Sequence, residues 1–257
     1  MGAHRGSIEV PDVSNVLRTG GRAVVSGARK LNDVAPGGQL RAAIFDLDGV
    51  LADTAVLHLS AWRRLAEAEG FAFDASVADE LRGLSRSASL TKLLAGRVVD
   101  DVSFQRMLDM KNGWYRDALA SLGPEDSLPG ARDCVTGLRS SGWRLAVGSS
   151  SRNAATVLAH LQLAPLFDAI VDGNDVEQAK PAPEVFLIAA QRLGVPAVNC
   201  VVIEDAASGV EAARGANMAV IGVGGADVVG AADIVVASVA DIDHALLSQL
   251  VDVRHDQ

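Results

Sequence analysis

Arg41-Ala-Ala-Ile-Phe45-Asp46-Leu47-Asp48-Gly49-Val50-Leu51-Ala52-Asp53-Thr54 is the stretch from which the rest of the chain can be read. Arg41–Phe45 is a short, mostly apolar run that stops at Asp-Leu-Asp-Gly, which predicts a buried strand entering a turn. Similar runs recur at Arg144–Gly148, Ala169–Asp172, Cys200–Ile203, Ala219–Val223 and Ile234–Ala237. Helical patterns lie between them at Asn153–Leu163, Pro183–Leu193 and Ala207–Arg214. The second has Pro near its start and Gly194 as its stop, and the third ends at Gly215. Strands alternating with helices predict an α/β fold, a Rossmann-like parallel sheet with helices on both faces.

Residues 55–128 break the alternation. Their spacing predicts only helices, over Ala55–Glu69, Ser76–Leu84, Ser87–Leu94 and Phe104–Ser121, punctuated by Gly70, Gly83, Gly96 and Gly123-Pro124. An all-helical insert after the first strand of a parallel sheet reads as a cap domain over 55–128. The core domain is then expected over 41–54 and 129–257. Residues 1–40 are rich in glycine, with weak periodicity and one strand candidate, Arg22–Ser26. They are expected to form a partly irregular N-terminal extension draped over the domain.

The 257 residues allow one large domain or two small ones, and 49% hydrophobic residues suffice for a sizeable core. Asp and Glu (32) outnumber Lys and Arg (23), for a net charge of −9. That balance, without a basic run and with only 4% aromatic residues, argues against a nucleic-acid partner. Cys134 and Cys200 lie in apolar runs and are expected to be buried free thiols. No apolar run is long enough to span a membrane, and the first residues lack a secretory pattern, so no membrane partner and a cytoplasmic location are expected. A monomer is expected, with a dimer left open.

In an open parallel sheet, ligands bind beyond the carboxyl ends of the strands. Those ends carry Asp46 and Asp48, then Ser149, Ser150 and Ser151, then Glu204 and Asp205; Lys180 lies in the loop after the third strand. Four carboxylates crowded at one edge repel one another unless a cation sits among them. Oxygen ligands without His or Cys point to a hard cation, and Mg²⁺ commonly joins such sites to phosphate. Lys180 and the serines supply the charge and donors a phosphate requires. The constellation reads as Mg²⁺-assisted phosphoryl transfer.

Asp46-Leu-Asp48-Gly-Val-Leu-Ala-Asp53-Thr54, Ser149, Lys180 and Glu204-Asp205 resemble, in order, the four motifs of the haloacid dehalogenase superfamily. The resemblance covers about residues 41–240. It implies Asp46 as a nucleophile that forms an aspartyl phosphate and Asp48 as general acid/base. It also implies Mg²⁺ on Asp46, the Asp48 carbonyl and Asp205, with Glu204 close by or water-linked. Ser149, Ser150 and Lys180 would hold the transferring phosphoryl group. Two other readings stay open: Glu204 fits a carboxylate serving a helix dipole, and Ser150 and Ser151 fit helix caps.

The cap carries the signal for substrate. His58 and Trp62 are i, i+4 neighbours just past the catalytic turn. Arg82-Gly83-Leu-Ser-Arg86-Ser-Ala-Ser89-Leu is a basic, small-residue loop, and Lys111-Asn112 follows in the fourth cap helix. With Ser151 and Asn153 after the second motif, these resemble the β-phosphoglucomutase branch. That branch converts β-D-glucose 1-phosphate to glucose 6-phosphate through a bisphosphorylated glucose. The resemblance implies a small phosphorylated sugar as partner, touched by Thr54, His58, Trp62, Arg82 and Gly83. It also implies a distal phosphate held by Arg86, Ser89, Lys111 and Asn153. Arg82 stands where Lys is usual, and Ala88 replaces a commonly acidic position. A sugar-phosphate phosphatase with the same core is the alternative, and a non-catalytic phosphate-binding protein a more remote one.

Overall fold

A computed structural model describes residues 18–19, 22–23, 40–81 and 84–255. In the N-terminal segment β1 (Arg18–Thr19) pairs antiparallel with β2 (Arg22–Ala23), the latter inside the run expected to be a strand. The rest of the extension, and its expected course, lies outside the described residues, as do Arg82 and Gly83.

β3 (Ala42–Phe45), β4 (Arg144–Gly148), β5 (Ala169–Val171), β6 (Cys200–Glu204), β7 (Ala219–Val223) and β8 (Ile234–Val236) form one sheet in the order β5-β4-β3-β6-β7-β8. Every adjacent pair is parallel. Each strand falls on a predicted apolar run. β6 extends one residue further than expected, so Glu204 ends the strand instead of following it.

Between β3 and β4 lie α1 (Ala55–Glu69), α2 (Ala75–Glu80), α3 (Arg86–Leu94) and α4 (Asp101–Leu119). They pack on an apolar cluster of their own that includes Trp62, Leu65, Leu90, Leu93 and Met107. α1 has the expected bounds and stops where Gly70 turns left-handed, φ 68°. α3 starts one residue early because Ser85 caps it, its Oγ accepting from the Ala88 N–H. α4 begins at Asp101, not Phe104, because Asp100 caps it by accepting from the Ser103 N–H at 2.8 Å. α2 is shorter than the expected Ser76–Leu84, in keeping with the poor helix propensity of glycine at position 83.

The remaining helices are α5 (Ala131–Ser140), α6 (Ala154–His160), α7 (Glu184–Leu193), α8 (Ala207–Gly215), α9 (Ala226–Val229) and α10 (His244–His255). They cover both faces of the sheet. Ala43 and Phe45 face a cluster with residues of α5, α6 and α10, whereas Ala42 and Ile44 face one with residues of α7 and α8. Burial on both faces explains why the strands read as continuous apolar runs without alternation. No helix among the described residues is long and apolar enough to cross a membrane.

Candidate active site

From β3 the sheet grows one way through β4 and the other way through β6, so β3 stands at the point where the strand order reverses. A crevice opens beyond the carboxyl ends at such a point. Asp46 follows β3, Ser149 follows β4, and Glu204 and Asp205 come at the end of β6. The Asp46 N–H donates to the Ile203 carbonyl at 2.9 Å, which carries the ladder up to the first carboxylate.

Lys180 is buried between two of these acids. Its Nζ donates to Asp46 Oδ1 at 2.5 Å and to Glu204 Oε1 at 2.7 Å. Burial works against the ammonium charge, but the two carboxylates outweigh it and hold its pKa above the ordinary value. The second Glu204 oxygen accepts from the Ala206 N–H at 2.7 Å. A Cβ at Gly209 would overlap the Glu204 carboxylate, so only glycine lets α8 pass this close. Glu204 thus holds Lys180 with one oxygen and the Ala206 N–H with the other.

Asp48 faces the cap. Thr54 Oγ1 donates to Asp48 Oδ1, and His58 Nε2 lies 3.8 Å from the same oxygen. His58 Nδ1 is 2.5 Å from Lys111 Nζ, and the imidazole stacks on Tyr115 at 3.8 Å between centroids. Burial, then the charges of Lys111 and Arg86, lowers the His58 pKa well below the histidine range. Burial and Arg86 likewise bring Lys111 down to about 7. A neutral imidazole can therefore accept a hydrogen bond from Lys111 at Nδ1. The ammonium also sits 4.9 Å from the Trp62 ring centroid and 4.8 Å from that of Tyr115.

The carboxylates are short of positive charge. Burial, then the neighbouring carboxylates of Glu204, Asp46 and Asp48, pushes Asp205 up to about 8. Burial and Asp46 raise Asp48 to about 6. Asp205 comes this near because Gly49 (φ 89°) has no side chain; a Cβ there would overlap its carboxylate. Among the described residues no three His, Cys, Asp or Glu side chains make a ready-made metal cage. Mg²⁺ does not need one: one or two carboxylates suffice when water and phosphate complete its shell. An under-neutralised, oxygen-only set at Asp46 and Asp205 fits that cation.

Core and cap both line the pocket above these acids. Asp46, Asp48 and Asp205 form part of the lining, with Ser150, Ser151 and Asn153 from the core. His58, Trp62, Arg86, Ser89 and Lys111 come from the cap. Ser149 and Thr54 are fully buried and do not line it; the Ser149 Oγ accepts from the Ser151 N–H at 3.1 Å. Lys180 and Glu204 lie beneath. Asn153, expected to hold phosphate, uses its Nδ2 on Asn112 Oδ1 at 3.1 Å.

Two residues given no role from the sequence join this group. Arg152 lines the pocket, and after burial its charge is the main cause lowering the Arg86 pKa. Tyr115 is fully buried, and burial followed by the Asp48 charge raises its phenol. Its position i+4 from Lys111 was the available signal.

The haloacid dehalogenase-like hydrolase family profile matches residues 40–217. A β-phosphoglucomutase of Bacillus subtilis (strain 168) is 37% identical over 214 residues, 82% of this chain and 95% of that protein. The fructose-1-phosphate phosphatase YqaB of Escherichia coli (strain K12) is 34% identical over 195 residues, covering 68% of this chain and 92% of its own. A 2.27 Å crystal structure of β-phosphoglucomutase from Clostridium difficile aligns with a TM-score of 0.81 at 34% identity, over 85% of this chain and 100% of that one. The parallel sheet, the helices inserted between β3 and β4, and these likenesses place the chain among the haloacid dehalogenase-like hydrolases, as an enzyme of phosphoryl transfer or phosphate-ester hydrolysis.

Proposed function

We propose that the protein is a β-phosphoglucomutase, interconverting β-D-glucose 1-phosphate and glucose 6-phosphate through the 1,6-bisphosphate. The carrying observation is two groups of cations in one site. Lys180 is bonded to Asp46, while Arg86, Arg152 and Lys111 form a second group on the pocket wall. A mutase needs both, because its intermediate carries two phosphates and binds in two orientations.

Asp46 attacks the phosphorus of the bound ester as Asp48 protonates the departing sugar oxygen, leaving an aspartyl phosphate. In the return step a sugar hydroxyl attacks that phosphorus, Asp48 takes its proton, and the bond to Asp46 breaks. Lys180 and Ser149 orient the transferring group, and Glu204 holds Lys180 in place. Ser150 and Ser151 line the route to it. Asp46, Asp205 and the Asp48 carbonyl would hold Mg²⁺, which as a Lewis acid neutralises phosphoryl charge. Chelation should accordingly remove turnover and Mg²⁺ restore it. His58 and Trp62 contact the sugar, and Ser89 stands with Arg86 at the distal phosphate. Residues 55–128 act as one cap over a core of 41–54 and 129–257.

The test supplies β-D-glucose 1-phosphate, Mg²⁺ and a trace of the bisphosphate, and follows both products. A large excess of glucose 6-phosphate over inorganic phosphate is expected. Stoichiometric phosphate without isomerisation would make the protein a sugar-phosphate phosphatase, the activity named for the Escherichia coli relative.

A further inference from the structure

Two neighbouring pairs of residues meet where the cap faces the core. On α4 Lys111 is followed by Asn112; after β4 Arg152 is followed by Asn153, which stands at the start of α6. Asn153 Nδ2 donates to Asn112 Oδ1 at 3.1 Å, so a side-chain hydrogen bond crosses from core to cap. Both residues are half-buried. Beside this bond, Arg86 from the cap and Arg152 from the core line the same pocket as like charges, and Arg152 disfavours the charge on Arg86. Like charges on the two bodies push them apart until an anion lies between. The amide pair carries no charge, so its attraction does not change with pH and is little affected by salt.

We infer that Asn112 is a positioning residue, whose side-chain oxygen latches the cap to the loop bearing Arg152 by holding Asn153. The latch offsets the repulsion between the arginines and keeps both within reach of one anion. A role in the reaction rests on the mutase reading. With the cap latched, the aspartyl phosphate meets a sugar hydroxyl in preference to water. In either event the bond from Asp46 to phosphorus breaks. With sugar the new bond is to the sugar oxygen and Asp48 takes its proton; with water the new bond is to the water oxygen, Asp48 takes its proton, and inorganic phosphate leaves.

Two variants of the full chain test this. Asn112→Ala removes the acceptor, whereas Asn112→Asp keeps an oxygen in the same place. Amide exchange followed by mass spectrometry should quicken about fivefold around residues 149–153 in the Ala variant, as expected for one lost hydrogen bond. The Asp variant should exchange like the parent, and β6 should be unchanged in both. Unchanged exchange in Asn112→Ala would overturn the latch, as would equal acceleration in both variants. Acceleration extending into β6 would also overturn it, since that is general loosening. The second measurement is phosphate released per glucose 6-phosphate formed, which should rise about fivefold in Asn112→Ala if the closed fraction falls as the exchange does. Faster exchange with an unaltered ratio would overturn the role in excluding water. A parent protein that makes no glucose 6-phosphate would defeat the mutase reading alone, and exchange would still decide the latch.

Discussion

Asp46→Asn should yield no phosphoryl adduct on intact-mass spectrometry after incubation with acetyl phosphate, because a neutral amide is a poor nucleophile. The fold should survive, since the amide retains an oxygen for Lys180 and Glu204 remains as its counter-charge. A stable adduct on the variant would move the nucleophile elsewhere. The cysteines give a second expectation. Burial pushes both thiols up to about 12, against 9.0 for an unperturbed thiol. Neither should react with a thiol reagent at pH 8 until denaturant is added. Between 9.0 and about 12 the unfolded chain surrenders these protons while the folded one keeps them. Stability should therefore fall as pH rises through that window, which denaturant titrations at pH 8 and 10 would detect. At this scale the strand-end acids and Lys180 were legible because each follows an apolar run or its loop. Arg152 was visible only as part of the run Ser149–Asn153 and was given no role of its own. The task of Glu204 was not either, because only the fold brings Lys180 against it.

Leu247→Ala should destabilise the protein by about 3 kcal/mol in denaturant titrations, within the range for a large-to-small change in a packed core. Leu247 is fully buried on α10 and packs in the cluster shared with Phe45 and Val147. A loss below about 1 kcal/mol would mean that α10 contributes little to that face. Neither α10 nor α5 was singled out from the sequence, although α5 buries Ala131, Cys134, Val135 and Leu138 at helical spacing. α10 has a start signal that was passed over, Asp243, which accepts from the Leu246 N–H at 2.9 Å, whereas α5 has none. α5 begins at Gly130 in a left-handed conformation, without a side-chain cap. The strands were legible for the opposite reason, since double-sided burial forces uninterrupted apolar runs that polar turns cut sharply. Helix starts were displaced by one residue at α3 and by three at α4, where the side chains of Ser85 and Asp100 decided them.

At the scale of the whole molecule, the cap and the core supply different parts of one site, and Arg86 tests the division. The chain carries a net charge of −9, yet an anionic ester must enter between the two bodies. Arg86 occupies the first turn of α3, where a cation opposes the helix dipole, and burial and Arg152 lower its pKa further. A residue held against three unfavourable influences is one whose charge an incoming phosphate would satisfy. Its planar fork matches two phosphate oxygens at once. Under the mutase reading, phosphate at Asp46 leaves the second phosphate of the intermediate to this group. Arg86→Ala should then lower isomerisation of β-D-glucose 1-phosphate by about 10²-fold, the usual size for one lost electrostatic contact in a transition state. Hydrolysis of acetyl phosphate has no second phosphate and uses only the core acids and Lys180, so it should be nearly unchanged. Steady-state assays of both substrates on the one variant separate the possibilities. Equal loss of both would assign Arg86 to the fold or the core. Retention of both would leave the pocket without a second phosphate anchor at this position, and would shift the reading to a phosphatase.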